Sequence, residues 1–504
     1  MVFHRSSGIL LHITSLPGQY GIGEIGPHAY TFIDRLKTMG QHLWQILPIG
    51  PTGLSASPYQ SLSSFAGNPL LISFELLIKN GYLKTSEVQT LNTLSEIHID
   101  SNSVFSLRSS ILNIVAENFQ SRASKEFIEN FREFCSTNSV WLDDFALFIT
   151  LKELHNNQAW ADWKWEYKHR NPDALSEIAE KYKSDILKVK ILQFLFHDQW
   201  HSLIDYAHKR NVRIIGDIPI YVAYDSVDVW ANQSLFHLDC DGKMDRLSGA
   251  PPCYFSETGQ LWGNPIYNWD VHKKTRYKWW VSQIKKLFTM VDIVRIDHFN
   301  GFVKYWEVPA NSKNAKNGRW IQGPGEDFFN VITQELGPLP IIAEDLGEAS
   351  KEAEPVRKIF EFPGLKILQF AFGENEDPMD YPKSCVVYTG THDNDTTKGW
   401  FTMHSGQGRA QTEDEISAER KNVLEYFETD GSEIHWDMID LALQTPANTT
   451  IIPLQDVMGL DSKARMNIPG TANGNWTWRF TWDMLSDKMI TRLKHLTNKY
   501  NRTK

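Results

Sequence analysis

The chain has 504 residues, 41% of them hydrophobic and 22% charged, with a net charge of -10. That length can bury one large core or two ordinary ones, and the composition is that of a globular protein. Basic residues do not cluster, which argues against polyanion binding, and no run approaches the roughly 18 apolar residues that a membrane helix needs.

Taken in chain order, eight short runs read as strands. They are GILLHI (8–13), HLWQILPI (42–49), VRIIGDIPI (212–220), DIVRIDHF (292–299), PIIAEDLG (340–347), LKILQF (365–370), SCVVYTGTHD (384–393) and TIIPLQDVM (450–458). Most are near-continuous aliphatic runs, as parallel strands covered on both faces should be. Helical patterns lie between several of them, at 27–40 and 274–288 for example. Strands alternating with helices predict an α/β fold, a (β/α)8 TIM barrel that makes residues 1–504 a single catalytic domain.

Two gaps are too long for simple crossovers. Residues 50–211 hold helical segments at 104–134, 138–155 and 173–207. The last reads as the barrel helix itself, which leaves 50–185 as a mainly helical inserted subdomain. Residues 221–273, rich in Gly, Pro, Asp and aromatics, form a second inserted loop subdomain after the third run. Both insertions follow strand C-termini, the face on which barrel enzymes carry their active sites.

The four cysteines, Cys135, Cys240, Cys253 and Cys385, show no CxxC spacing. They indicate neither a disulfide framework nor a zinc site, and a reducing, cytoplasmic setting is expected. The apolar run at the N-terminus is too short for a secretory signal. GIGEIG (21–26) matches the dinucleotide fingerprint, but a loop separates it from the strand and no acid lies between Asp34 and Glu75 to hold a ribose. It reads as a barrel loop shaped by glycine.

Acids stand at the ends of five runs: Asp217, Asp297, Glu344, Asp393 and Asp456. Acids often follow strands because they cap the next helix. That accounts for one or two of the five, but Asp297 and Glu344 follow buried runs with no cap pattern. Arg295 and Asp297 point the same way, since strand side chains alternate faces, and a core strand has no need of a charged pair on one face. Convergence on one rim is the better reading.

Several carboxylates with a His and an Arg fit either a divalent-metal site or glycoside chemistry, in which one carboxylate attacks and another serves as acid and base. The 18 Trp, 17 Tyr and 27 Phe read, taken alone, as ordinary core material, but aromatics neighbouring the acids favour sugar, whose C–H faces stack on aromatic rings. Arg295 is expected to lower the pKa of Asp297 and keep it ionised, as suits a nucleophile. The apolar setting of Glu344 is expected to raise its pKa toward general-acid work. No metal and no cofactor is expected.

Longer motifs carry a family resemblance. SPYQSLSSFAGNP (57–69), GDIPIYVAYDSVDVWAN (216–232), YFSETGQLWGNPIYNW (254–269), VRIDHF (294–299), AEDLG (343–347), THDND (391–395) and ARMNIPGTANGNWTWR (464–479) resemble, in order and over nearly the whole chain, the 4-α-glucanotransferases or amylomaltases. These belong to the α-amylase clan of retaining glycoside hydrolases. The resemblance implies a barrel with subdomains inserted at the active-site face and no C-terminal β-sandwich. It implies that α-1,4-glucans and malto-oligosaccharides serve as donor and acceptor, a glucan segment passing through a covalent β-glycosyl-enzyme to the 4-hydroxyl of another glucan. Nucleic acid and membrane are not expected as partners.

Carried over by motif, the resemblance makes Asp297 the nucleophile, Glu344 the general acid/base, and Asp393 the group that holds the distorted sugar in the transition state. It has Arg295 orienting Asp297, His392 and Tyr59 touching the ring at the cleavage point, and Asp217 at a further active-site position. Ser57, Tyr254, Phe255, Trp262 and Asn467 complete the expected substrate contacts. A retaining mechanism sets the two reacting carboxyls roughly 5–5.5 Å apart. Two positions depart from the family pattern: Cys253 in PPCYFS, where Asp is common, and Asn300 after VRIDHF, where Arg is common. Two rival readings stay open, a hydrolytic α-glucanase on the same barrel and a catalytically idle glucan-binding protein. The intact set of three acids argues against the second.

Overall fold

All eight runs form strands. The computed structural model describes residues 3–53, 56–252, 256–374, 376–405 and 411–503, so Cys253 and the expected contacts Tyr254 and Phe255 lie outside the described residues. The strands in chain order are β1 (Ser6–Leu10), β2 (Leu43–Gln45), β3 (Arg213–Pro219), β4 (Arg246–Ala250), β5 (Gln260–Pro265), β6 (Ile293–Asp297), β7 (Lys304–Pro309), β8 (Arg319–Gln322), β9 (Ile341–Ala343), β10 (Gly364–Ile367), β11 (Cys385–Tyr388) and β12 (Thr449–Pro453).

Eight of them make one parallel sheet in the order β10-β11-β12-β1-β2-β3-β6-β9. The two ends meet, because Ala343 at the end of β9 donates its N–H to the carbonyl of Pro363, just before β10, at 2.9 Å. This is the predicted barrel. Each of its strands sends an aliphatic side chain into the interior: Leu10, Leu43, Ile215, Ile293, Ile342, Leu365, Val386 and Ile451. Such a filled interior is a packed core rather than a pore, so chemistry is confined to the rim.

The runs overshoot the strands. LKILQF and TIIPLQDVM turn into helices at Leu368–Glu374 and Leu454–Val457, because aliphatic residues suit buried helices as well as strands and do not mark where one gives way to the other. The first crossover helix, Pro27–Thr38, starts where expected: Gly26 precedes it, Pro27 supplies its first residue, and Ala29, Phe32, Ile33 and Leu36 form its buried face.

Residues 74–208 are dominated by helices, among them Ser101–Arg122, Lys125–Thr137, Ser139–Leu154, Pro172–Lys181 and the long Lys183–His208 that leads into β3. The segment after β3 differs from its reading as loop. β4 and β5 join β7 and β8 in an antiparallel sheet, ordered β5-β4-β7-β8. Half of this sheet comes from after β6, where KYWEVP and RWIQ mix charged, aromatic and apolar residues and so form no aliphatic run. Glu307 of β7 is its buried tie, accepting from Arg246 and Arg319 on the flanking strands at 3.2 and 2.8 Å. No helix among the described residues is long and apolar enough to cross a membrane.

Candidate active site

β3, β6 and β9 are neighbours, and their register sets charged groups side by side. Asp217 lies opposite Arg295, and Arg295 lies opposite Ile342, two residues before Glu344. Alternation turns Arg295 and Asp297 toward the same interior. The Arg295 guanidinium meets three carboxylates: Nη1 donates to Asp217 Oδ2 at 2.6 Å and to Asp297 Oδ1 at 3.1 Å, and Nη2 pairs with Glu344 Oε1 at 2.9 Å. It fills the point between these acids where a divalent ion would have to sit.

The residue after Asp297 explains why the strand ends in Asp-His. His298 holds a left-handed backbone, φ 51°, which is costly for a side chain other than glycine. The turn aims two successive amides at the next strand: His298 N donates to Glu344 Oε2 at 2.7 Å and Phe299 N donates to the Glu344 carbonyl at 3.0 Å. Trp262, from β5, packs edge-on against the His298 ring with centroids 4.8 Å apart.

The other wall is built on Tyr59. Its hydroxyl donates to Asp217 Oδ2 at 2.7 Å, and its ring stacks on His392 at 5.2 Å and lies against Trp476 at 5.8 Å. Ser57 Oγ accepts the Tyr59 N–H at 3.3 Å and so shapes the turn that presents this ring. Beyond His392, Asn467 Nδ2 donates to Asp393 Oδ1 at 2.6 Å, His392 Nε2 lies 3.5 Å from the same oxygen, and Arg465 Nη2 donates to the Asp393 carbonyl at 2.6 Å.

Exposure separates the acids. The side chains of Asp297, Glu344 and Asp393 are 24%, 17% and 34% exposed, against 0% for Asp217 and 1% for Arg295. Asp217 and Arg295, expected among the substrate contacts, therefore present almost no surface to a ligand and hold the groups that do. Asp456 is not on the rim. It is buried in the helix after β12, where it accepts from the hydroxyls of Thr389 and Thr397 at 2.5 and 2.8 Å.

The protonation pattern reverses the expectation. Burial first, then the Glu344 charge, push the Asp297 carboxyl well above its ordinary value, against the pull of Arg295. Burial would raise Glu344 too, but Arg295, the His298 amide and a hydrogen bond with Asp297 outweigh it and hold Glu344 below its ordinary value. Arg295 Nη1 also donates to Asp217 at 2.6 and 2.8 Å, whereas Glu344 takes a separate nitrogen of the guanidinium and a backbone N–H. The proton of the pair accordingly rests on Asp297. Arg295 itself is opposed by burial yet held well above its ordinary value by Asp217, Glu344 and Asp297. Asp297 and Glu344 are near enough that each shifts the protonation of the other, and both pair with the Arg295 guanidinium.

Every described residue among the expected contacts lies in this cluster. Trp476, Arg465 and His298 belong to it as well, although sequence reasoning singled out none of them. Each stands in a quoted motif, and its bulk or charge was the available signal.

Comparison with known proteins agrees over the full length. The sequence profile of the family described as 4-alpha-glucanotransferase matches residues 11–485. A 4-alpha-glucanotransferase of Synechocystis sp. is 44% identical, covering 100% of this chain and 99% of the relative. One from Clostridium butyricum is 41% identical over 98% of this chain and 100% of its own. The fold superposes on an amylomaltase from Streptococcus agalactiae, solved in complex with acarbose, with a TM-score of 0.93, 37% identity and 99% of each chain covered.

Proposed function

This chain belongs to the 4-alpha-glucanotransferase family, and we propose that it moves α-1,4-glucan segments between malto-oligosaccharides by a retaining double displacement at the Arg295-centred site. The observation that carries the reading is the pair Asp297 and Glu344, facing each other from the ends of adjacent barrel strands and joined through one guanidinium.

Asp297 attacks the anomeric carbon as a carboxylate while Glu344 passes a proton to the departing glycosidic oxygen, leaving a β-glycosyl ester on Asp297. Glu344, now ionised, takes the proton of an incoming 4-hydroxyl, whose oxygen attacks the anomeric carbon; the bond to Asp297 breaks, the carboxylate leaves and the α-linkage is restored. Burial and the Glu344 charge favour a proton on Asp297 in the free site, so that proton has to reach Glu344 before Asp297 attacks. Asp393, the most open of the three acids and fixed by Asn467, binds ring hydroxyls and supports the positive charge that develops on the sugar. Tyr59 and His392 lie against the ring at the cleavage point, while Asp217 positions Tyr59 and Arg295 positions Asp297.

We take the insertions 50–185 and 221–273 as subdomains that wall the glucan groove, the first supplying Ser57 and Tyr59, the second Tyr254, Phe255 and Trp262. Transfer rather than hydrolysis requires that a sugar acceptor displace water from the glycosyl-enzyme, which an aromatic-lined cleft favours. Incubation with maltotriose alone, with products resolved by chain length, tests this. Glucose with a ladder of longer oligomers is the expected result. Glucose and maltose with nothing longer would make the chain a hydrolase, and unchanged maltotriose and maltoheptaose would leave only a binding role.

A further inference from the structure

His12 follows β1, and nothing in the chemistry above uses it. It is buried, and its Nδ1 has no hydrogen-bond partner among the described residues. The same is true of Nδ1 of His392. Both rings line one small cavity, together with Ser15, Asn394, Gln455 and Trp478. Its volume is about 20 Å³, and one water needs roughly 10–15 Å³ on the same measure. Two bare ring nitrogens and a space of that size are the features that define a buried water site, since a water gains a place by pairing groups that would otherwise stay unpaired.

We propose that His12 is a positioning residue for His392: one buried water bridges the two Nδ1 atoms, donates to that of His392, and so fixes the His392 proton on Nε2. Nε2 is the nitrogen that lies 3.5 Å from Asp393 Oδ1. Protonated there, His392 donates toward Asp393 and the sugar hydroxyls. With the proton on Nδ1 it would present a lone pair to a carboxylate and lose that donor. Burial, and then the neighbouring His392, push His12 down to about 3, so His12 meets the water as a neutral ring. The proposal rests on the reading that His392 touches the glucosyl ring.

Three substitutions separate hydrogen bonding from bulk. An asparagine side chain brings its amide to the level of Nδ1, a glutamine reaches the level of Nε2, and a phenylalanine offers neither. With maltotriose, His12→Phe and His12→Gln are expected to lower kcat about tenfold, the effect of one misplaced hydrogen bond, with KM moving less. His12→Asn is expected to stay within about threefold of the parent. Nitrogen-15 spectra of histidine-labelled protein, with the His392 signals assigned by their loss in His392→Asn, read the tautomer without reference to activity. The expected result is an Nε2-protonated His392 in the parent and in His12→Asn, and mixed tautomers in His12→Phe. A parent His392 protonated on Nδ1 would overturn the proposal, as would a His12→Phe enzyme with unchanged kcat and tautomer. Should the tautomer follow His12 while kcat ignores both His12 and His392, the bridge stands and the sugar contact of His392 falls.

Discussion

Arg295 brings one positive charge against three carboxylates, and all four groups are largely out of water. If every acid were ionised, the cluster would hold two uncompensated negative charges, a costly state in a poorly solvated site. A proton retained on Asp297 relieves half of that, and it makes two outcomes predictable. Asp297→Asn and Glu344→Gln should each lower kcat for maltotriose disproportionation by roughly 10⁴-fold or more, the scale at which losing one member of a catalytic unit acts. An α-maltosyl fluoride donor, whose leaving group needs no proton, should restore glycosyl-enzyme formation in Glu344→Gln but not in Asp297→Asn. The second outcome concerns stability. The folded pKa of Asp297 lies above its ordinary 3.8, so its contribution is fully present below pH ~3.8 and is lost as pH rises toward the folded value. Asparagine does not titrate and offers Glu344 a permanent N–H. Between pH 4 and pH 8 the Tm of Asp297→Asn should therefore gain on the parent as pH increases, and a constant or shrinking gap would show that the proton does not rest on Asp297.

At the scale of elements, Tyr59 depends on a helix far from it in sequence. Gln193, on Lys183–His208, clamps Gly67 with both amide groups: its Nε2 donates to the Gly67 carbonyl at 2.8 Å and its Oε1 accepts the Gly67 N–H at 2.8 Å. Gln199, less than two turns on, treats Ser73 the same way. The backbone comes so close that a Cβ on Gly67 would stand 2.0 Å from the Phe196 ring. Gln193→Leu leaves a buried N–H and C=O unpaired, which should cost about 1–3 kcal/mol. Because Gly67 ends the segment that presents Tyr59, KM for maltotriose should rise; a loss of Tm with KM unchanged would show that the clamp serves folding alone. Such ties mark where sequence reading stopped. The barrel strands were legible because burial on both faces makes them unbroken aliphatic runs, and the acids were legible because they interrupt those runs. β4, β5, β7 and β8 were not, since they mix charged, small and aromatic residues and form no unbroken aliphatic run. The direction of the Asp297 and Glu344 shifts was not legible either. It turns on which nitrogen of Arg295 each acid receives and on the left-handed turn at His298, and neither is a property of residue type.

At the scale of the whole molecule, the catalytic rim and the closure of the opposite end are separate structures. The N- and C-terminal segments meet beneath the barrel, where Arg5 and Arg502 spend their guanidinium groups on backbone carbonyls rather than on acids. Arg502 donates to Leu443, Ser6 and Thr445 at 2.7, 3.2 and 3.0 Å, and Arg5 reaches Tyr500, Thr445 and Ala447 at 2.9, 3.0 and 3.1 Å. Burial, and then the neighbouring Arg5, bring Arg502 down to about 9, so it is still charged at neutral pH. The carbonyls it serves close the helix Ile434–Gln444 at Leu443 and Thr445 and start β1 at Ser6, so one side chain ties both terminal segments to the segment before β12. Arg502→Met keeps the apolar stem, removes a buried charge that was costly to desolvate, and takes the Arg502 donor from Ser6, Leu443 and Thr445, of which the last two keep Arg5. The weakened pairing of these carbonyls outweighs the relief, and a net loss of about 1–2 kcal/mol is expected, read as a lower Tm or urea midpoint. Since none of these groups reaches the Arg295 cluster, kcat and KM of the protein that remains folded should match the parent. A fall in kcat at full folding would mean that the floor of the barrel transmits strain to its rim.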